Sequence, residues 1–314
     1  MRVADIVEAY VTRQRSLGMR FDSAGSLLRR FSREVGDPQI QEITPEAIIG
    51  FLNGSGVLTA TWALKYRVLT GLYKFAIGRG YVDGSPLPAA VPKLPPQQTP
   101  YVYSTDELRR LLEATAILRT GHSRHVPPVY RTLLLLLYGT GMRIGEALGL
   151  TFQDVDLVEK IITVRCTKFF KTRLVPIGPK LAGELTAHIE RRALMPMQIW
   201  KGSPLFATRG TRGWSYPRVI TMFQHVRGAA GIECPIGEPR PPRLHDLRHT
   251  AAVHRVIAWY RSGEDVQRLL PQLATYLGHL DIRSTQRYLQ MTPELLQAAS
   301  QRFAQYAMEV NHEE

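Results

Sequence analysis

A proline-rich segment divides the chain into two parts, and this division is the strongest constraint on its fold. The segment PLPAAVPKLPPQQTP, residues 86–100, holds six prolines and shows no hydrophobic period. Proline fixes φ and has no backbone N–H to donate, so such a segment forms a semi-rigid, extended linker. We therefore expect a smaller unit over residues 1–85, a linker over 86–100 and a larger unit over 101–314.

The first unit carries only helical patterns. Two amphipathic stretches end at glycines, Gly18 and Gly36, which are typical helix stops. A third helix is predicted to begin with Thr44 as its N-cap and Pro45 at its first position. A longer amphipathic helix follows over TATWALKYRVLTGLYKFAIGRG. The first unit is therefore predicted to be a small helical bundle.

The second unit is predicted to be mainly helical with a small antiparallel sheet. Its first helix should begin at a capping box, with Ser104 as N-cap and Glu107 three residues later. The convincing strand patterns are DVDLVEKIITVRC and TRLVPIG, which are separated by a short polar stretch. Helical patterns resume after them and continue towards the C-terminus. The predicted fold class is therefore mainly α with a small antiparallel β-sheet.

The charge of the chain favours a polyanionic partner. Its formal net charge is +13 and its pI is near 10.0, which indicates nucleic acid. Arginines outnumber lysines 32 to 8; phosphate binding explains this bias, and a GC-rich genome explains it equally well. The two cysteines form no C-x-x-C pair, and the N-terminal stretch has no apolar signal region. We therefore expect a reducing, cytoplasmic location and no membrane association.

The stretch RLHDLRHTAAVH, residues 243–254, admits two interpretations. His245 and His249 lie four residues apart, as in the zinc-binding helices of metalloproteases. However, Asp246 is shorter than the glutamate base of those enzymes, and Arg248 would place a permanent cation beside the metal. His245 and Arg248 share one face of the helix, which favours a clamp on phosphate and no metal. His249 is then expected to be a packed or structural residue, and His254 a core or boundary residue.

Three motifs resemble the signature boxes of the tyrosine recombinases, the phage integrase family. They are GTGMRIGEALGL, the H-x-x-R of LHDLRHTAA, and LGHLDIRSTQRYL. They occur in the order of the family and span most of residues 101–290. The resemblance implies a helical core-binding, DNA-binding domain followed by a tyrosine-recombinase catalytic domain. It also implies a reaction that requires no cofactor.

The resemblance implies a transesterification in which Tyr288 attacks a DNA phosphate, leaving a 3′-phosphotyrosyl link and a free 5′-hydroxyl. Arg143 and Arg248 match the arginines that bind the nonbridging oxygens, and Glu146 would orient Arg143 as a supporting residue. His279 would hydrogen-bond to the phosphate or to the attacking oxygen. The implied catalytic set is Arg143, Lys168, His245, Arg248, His279 and Tyr288.

The lysine region departs from the family pattern. Lys168 aligns with the lysine that would protonate the leaving 5′-oxygen, but Phe169 and Phe170 follow it where family members usually have glycine. Lys171 is therefore a second candidate for the acid, and Lys171 and Arg173 are expected to contact DNA. The residues PQLAT before the LGH motif resemble a local insertion. Both departures favour the integrase of a mobile element over a chromosome-dimer resolvase.

The expected partners are double-stranded DNA recombination sites and further copies of the chain, as a tetramer on synapsed DNA. The protein would act in the bacterial cytoplasm, associated with the nucleoid when bound to DNA. Two alternatives are an inactive architectural or regulatory DNA-binding protein and a type IB topoisomerase-like relaxing enzyme. The complete catalytic set argues against the first, and the N-terminal bundle and compact length against the second. Whether the C-terminal helix packs on its own unit or on a neighbouring protomer stays open.

Overall fold

The chain folds into two units, and the boundary between them along the sequence falls in the proline-rich segment. The structure is a computed structural model, which describes residues 1–56, 58–95, 100–119, 124–165, 172–195, 199–208 and 212–278, together with Gln297, Ser300 and Gln301. The first unit is Met1–Gln98 and the second is Thr99–Glu314. Within the described ranges, every helix is either too short or too polar to cross a bilayer.

In its described residues, the first unit is a bundle of four α-helices. Its helices are α1 (Val3–Ser16), α2 (Asp22–Glu34), α3 (Pro45–Asn53) and α4 (Ala60–Gly78). Gly18 and Gly36 follow α1 and α2 with φ of 82° and 80°, the left-handed conformation that ends helices at little cost for glycine. The Thr44 side chain caps α3 by accepting a hydrogen bond from Ala47 N at 3.3 Å. These stop and cap predictions are confirmed.

Part of the proline-rich segment packs on the first unit. Leu87 and Leu94 lie against its core, and the Tyr66 hydroxyl donates to the Pro88 carbonyl at 3.0 Å. Within its described residues, 86–95 and 100, the segment forms neither helix nor strand. The extended backbone agrees with the proline content.

The second unit contains seven α-helices within the described residues of 100–278. They are α5 (Thr105–Ala114), α6 (Val126–Thr140), α7 (Ile144–Leu148), α8 (Pro179–Ala193), α9 (Tyr216–Ala229), α10 (Asp246–Arg261) and α11 (Val266–Leu277). The capping box at the start of α5 is confirmed: Glu107 N donates to Ser104 Oγ at 3.1 Å, and Ser104 N donates to Glu107 Oε2 at 2.8 Å. The leucine-rich helix α6 lies at the centre of the core, with Leu133 and Leu136 fully buried.

The sheet of the second unit is small and antiparallel. It consists of β1 (Val155–Asp156), β2 (Ile161–Val164) and β3 (Arg173–Pro176), in the order β1-β2-β3. Val164 pairs with Arg173 at one end of the β2–β3 ladder. Ile162, Val164 and Val175 are buried, as the alternation of a half-buried sheet requires. The predicted fold class, mainly α with a small antiparallel sheet, is confirmed.

A glycine turn brings the end of α6 against the end of α11. Gly141 ends α6 in the left-handed conformation, with φ of 60°. A Cβ at this position would lie 2.6 Å from Leu277 Cδ2, so the close approach requires glycine. Two residues later, Arg143 is the N-cap of α7. This turn places the first signature motif beside Leu277 and Gly278 at the end of α11.

Candidate active site

Arg143 is held at the surface by the glutamate three residues after it. The Arg143 backbone N–H donates to Glu146 Oε2 at 2.9 Å, and Arg143 Nη1 donates to Glu146 Oε1 at 3.0 Å. Longer contacts of 3.5 and 3.4 Å join Nη1 and Nη2 to the Gly278 carbonyl. The Arg143 side chain is still 42% exposed. Its guanidinium is therefore oriented from one side and accessible to an anion from the other.

Glu146 pairs with a second arginine. Arg173 Nη1 donates to Glu146 Oε1 at 3.0 Å, and Arg173 Nη2 donates to Oε2 at 2.7 Å. Burial opposes ionisation of the Glu146 carboxyl, but the hydrogen bonds from Arg173 and from Arg143 outweigh it and lower the pKa of Glu146 to about 2. Glu146 is therefore ionised at every physiological pH.

Arg173 was expected to contact DNA, and the structure gives it a different environment. Its side chain is 14% exposed, compared with 42% for Arg143. Both of its terminal nitrogens are bonded to a carboxylate, the arrangement of a bidentate arginine–carboxylate pair. The geometry therefore favours a supporting position for Arg173 beside Glu146 over a direct phosphate contact.

Arg248 is buried where α6 and α11 end. It is 2% exposed, and it donates through Nη1 to the Gly141 carbonyl at 2.5 Å and through Nη2 to the Leu277 carbonyl at 2.8 Å. These carbonyls belong to the residues just before Met142–Arg143 and Gly278. Arg248 thereby connects the two backbone segments that surround Arg143.

His245 lies immediately before α10, at the accessible edge of this cluster. Its side chain is exposed, yet partial enclosure by protein, and then the charge of Arg248, lower its pKa; Arg143 contributes in the same direction. The ring is therefore neutral at pH 7. Asp246 fixes the turn that presents it, accepting from Arg243 N at 2.7 Å and from Arg243 Nη2 at 2.8 Å.

Of the other two histidines of the motif, His249 is buried and His254 is half-buried, as predicted. His249 is 1% exposed, and burial lowers its pKa to about 4. His254 Nδ1 lies 2.9 Å from the Tyr138 hydroxyl. His245 and His249 thus occupy different environments, one exposed and one buried. In the described part of the chain, no three histidine, cysteine, aspartate or glutamate side chains converge in a group that could hold a metal ion.

The remaining predicted site residues lie outside the described residues. They are Lys168, Lys171, His279 and Tyr288. Their roles stay predictions. The structure thus brings Arg143, Glu146, His245 and Arg248 into one region of the second unit and adds Arg173 to it.

Sequence reasoning missed the backbone of Leu277–Gly278. The carbonyls of these two residues accept hydrogen bonds from Arg248 and Arg143. Gly278 has φ of 72°, and a Cβ there would lie 2.8 Å from Arg173 Nη1. The glycine of the LGH motif was the available signal, because a helix-ending glycine marks a left-handed residue. The pattern did not reveal which side chains bind its carbonyl.

Comparison with known proteins gives one consistent result. Residues 102–294 match the model of the phage integrase family. A Sinorhizobium fredii protein with the provisional name integrase/recombinase y4rE is 33% identical over 302 residues, covering 94% of each chain. The tyrosine recombinase XerD of Mycobacterium leprae is 30% identical over 292 residues, covering 86% of this chain and 85% of its own.

Solved structures show the same fold. The integrase of transposon Tn1549, in complex with circular intermediate DNA, matches with a TM-score of 0.67 at 18% identity, covering 96% of this chain and 99% of that one. A λ integrase dimer bound to a core site matches with a TM-score of 0.66 at 19% identity, covering 90% and 97%.

Proposed function

The chain belongs to the phage integrase family and is a tyrosine-type site-specific DNA recombinase, and from this premise we propose which residues carry the reaction. The single observation that supports the assignment is the position of Arg143. Its guanidinium is oriented by Glu146 and the Gly278 carbonyl, remains accessible, and lies in the same cluster as Arg248 and His245. Such a cluster suits one DNA phosphodiester.

The proposed reaction is an in-line attack on that phosphodiester. The Tyr288 oxygen forms a bond to phosphorus, the bond from phosphorus to the 5′-oxygen breaks, and a 3′-phosphotyrosyl link remains. Arg143 and Arg248 stabilise the charge that develops on the nonbridging oxygens, and His279 adds a hydrogen bond. A 5′-hydroxyl of a partner duplex then reverses the step on a new strand. The covalent link conserves the bond energy, so neither ATP nor a metal enters the balance.

Two protons move in this reaction. A free phenol has a pKa of about 10, so Tyr288 attacks at neutral pH only if a base removes its proton or nearby cations stabilise its anion. His245 is neutral at pH 7 because partial burial and Arg248 lower its pKa, and it can accept that proton. The leaving 5′-oxygen takes a proton from Lys168, with Lys171 as the second candidate.

Both units bind DNA in this proposal, and the first unit offers a basic groove for it. The groove, of 510 Å³, lies between α1 and α4 and is lined by Arg13, Lys74 and Arg79. Both guanidiniums contact the ring of Phe75, at 5.9 and 5.7 Å from its centroid.

Within the described residues, no carboxylate pairs with these three cations. Other arginines of the first unit do form ion pairs; these are Arg2, Arg15, Arg29 and Arg30. The charges of Arg13, Lys74 and Arg79 are therefore available to phosphate.

The biological setting is a bacterial mobile element. The similarity to a transposon integrase supports this setting, together with the departures from the family pattern around Lys168. The recombinase acts in the cytoplasm on nucleoid DNA, and it assembles as a tetramer on two synapsed sites. A λ integrase tetramer on a Holliday junction, which has the same fold, supports that assembly.

Covalent trapping tests the proposal. Nicked duplexes carrying inverted repeats from the DNA that flanks the gene are incubated with the protein and resolved in SDS. We expect an SDS-resistant adduct that Tyr288→Phe abolishes and Arg143→Ala reduces by roughly 100-fold or more. An adduct that persists in Tyr288→Phe would refute the assignment of the nucleophile.

The same preparation separates the two alternatives. An inactive architectural protein would shift the duplex in a gel without forming an adduct. A topoisomerase-like enzyme would relax supercoiled plasmid that lacks any recombination site, and the wild-type protein is expected not to do so. Affinity should fall steeply with salt concentration, because most contacts are to phosphate.

A further inference from the structure

Arg173 makes the most complete ion pair in the candidate site. It begins β3, and its two terminal nitrogens meet the two oxygens of Glu146 at 3.0 and 2.7 Å. With only 14% of its side chain exposed, the guanidinium is largely removed from water. A pair that is bidentate and sheltered fixes the orientation of both partners, whereas exposed pairs do not.

The same carboxylate also holds Arg143. Each oxygen of Glu146 accepts one bond from Arg173 and one from Arg143, whose side chain uses Oε1 and whose backbone N–H uses Oε2. Two guanidiniums and one carboxylate leave a net charge of +1. Glu146 alone would neutralise Arg143; with Arg173 present, a positive charge remains for a phosphate.

Gly278 completes the arrangement. The Arg173 guanidinium lies against this glycine: an added Cβ would be 2.8 Å from Nη1 and 3.0 Å from Cζ. The Gly278 carbonyl is the acceptor that Arg143 reaches at 3.4 Å. Arg173 therefore contacts both groups that orient Arg143, namely the Glu146 carboxylate and the Gly278 backbone.

We propose that Arg173 is a positioning residue for Arg143, acting through Glu146 and Gly278, and that it is not a DNA contact. This inference rests on the proposed function, because the phosphate that Arg143 would bind is the one cleaved by Tyr288. Losing Arg173 leaves Glu146 free to draw the Arg143 guanidinium away from that phosphate. A displacement near 1 Å at a reacting group costs up to about 100-fold in rate.

Single-turnover cleavage of the nicked duplex and DNA affinity across a salt series, both measured on the full chain, test this role. For Arg173→Gln we expect the rate at saturating DNA to fall by roughly 10- to 100-fold, with affinity and its salt slope unchanged. Arg173→Lys keeps the charge and should recover part of the rate. The matched control is Arg165→Gln on the same hairpin, which removes a 2.6 Å pair with Asp154 and should leave the rate within about twofold.

A double-mutant cycle with Glu146→Gln excludes a merely structural effect. If Arg173 acts through Glu146, Arg173→Gln should lower the rate little further in the Glu146→Gln background. Multiplying effects would overturn the proposal, as would a normal rate at saturating DNA. Weaker affinity with a salt slope reduced by about 1 would instead establish the phosphate contact. If Arg173→Gln does not fold, the same cycle is run with Arg173→Lys.

The wild-type protein serves as the internal reference. An adduct that forms with wild type and is lost in Tyr288→Phe upholds the proposed function, whatever the Arg173 variants do. No adduct with wild type would overturn the proposed function and this inference together.

Discussion

Replacing Glu146 by glutamine should destabilise the protein by roughly 3 kcal/mol at neutral pH. The pKa of Glu146 falls from its ordinary 4.5 to about 2, and each tenfold change in acidity corresponds to about 1.4 kcal/mol. The side chain is only 10% exposed, so solvent screens its ion pairs little. Glutamine keeps the shape but cannot neutralise the guanidiniums of Arg143 and Arg173.

The lowered pKa also predicts how the stabilisation by Glu146 changes with pH. Because the pKa is lower in the folded state, the stabilisation is fully present above pH 4.5 and is lost as the pH falls towards 2. The difference in unfolding free energy between wild type and Glu146→Gln should therefore stay constant from about pH 7 to about pH 5 and shrink below that. Urea unfolding of the full chain, followed by tryptophan fluorescence, measures it, since three of the four tryptophans lie in the second unit.

A surface pair provides the control. Glu184→Gln removes a 3.1 Å pair with Arg131, whose side chains are 38% and 43% exposed, and should cost less than about 1 kcal/mol. If Glu146→Gln costs no more than Glu184→Gln at pH 7, the description of Glu146 as a sheltered, doubly paired carboxylate is wrong. A difference that persists unchanged at acid pH would refute it as well.

Three other outcomes are expected. His245→Gln should remove the decrease of the cleavage rate at acid pH, because only the neutral ring of His245 accepts a proton. Partial burial and a neighbouring arginine lower the pKa of this ring. Single-turnover rates between about pH 5 and pH 8 test this. Lys74→Gln should weaken DNA binding in a filter-binding titration and reduce its salt slope by about 1. Arg30→Gln should change neither the affinity nor the slope, because the guanidinium of Arg30 already pairs with a carboxylate. Lys65→Met should lower stability by roughly 1–3 kcal/mol in thermal unfolding, because the buried ammonium satisfies two backbone carbonyls; an unchanged Tm would contradict this.

Local patterns predicted the secondary structure well, because they act over a few residues. The glycine stops after α1 and α2 are confirmed, as are the Thr44 cap and the capping box of Ser104 with Glu107. Each depends only on side-chain and backbone groups within one helical turn.

Part of the site followed from the sequence in the same way. The pairing of Arg143 with Glu146 connects residues three apart on one short element, and the structure contains it. His245 and His249 were assigned different roles, and the structure leaves the first exposed and buries the second. The three-residue spacing of Arg143 and Glu146 already fixed their relation in space, whereas the four-residue spacing of the two histidines did not separate their environments.

The sequence by itself determined several helix starts and stops, the fold class, the family and the identity of the residues in its motifs, since each depends on neighbours along the chain. Only the tertiary structure decided which partners distant in sequence those residues have. Arg173 forms an ion pair with Glu146, 27 residues away, and Arg248 donates to the carbonyls of Gly141 and Leu277. A guanidinium donates to whichever acceptor the packed chain brings within about 3 Å, and a local sequence pattern does not specify such a contact between distant residues.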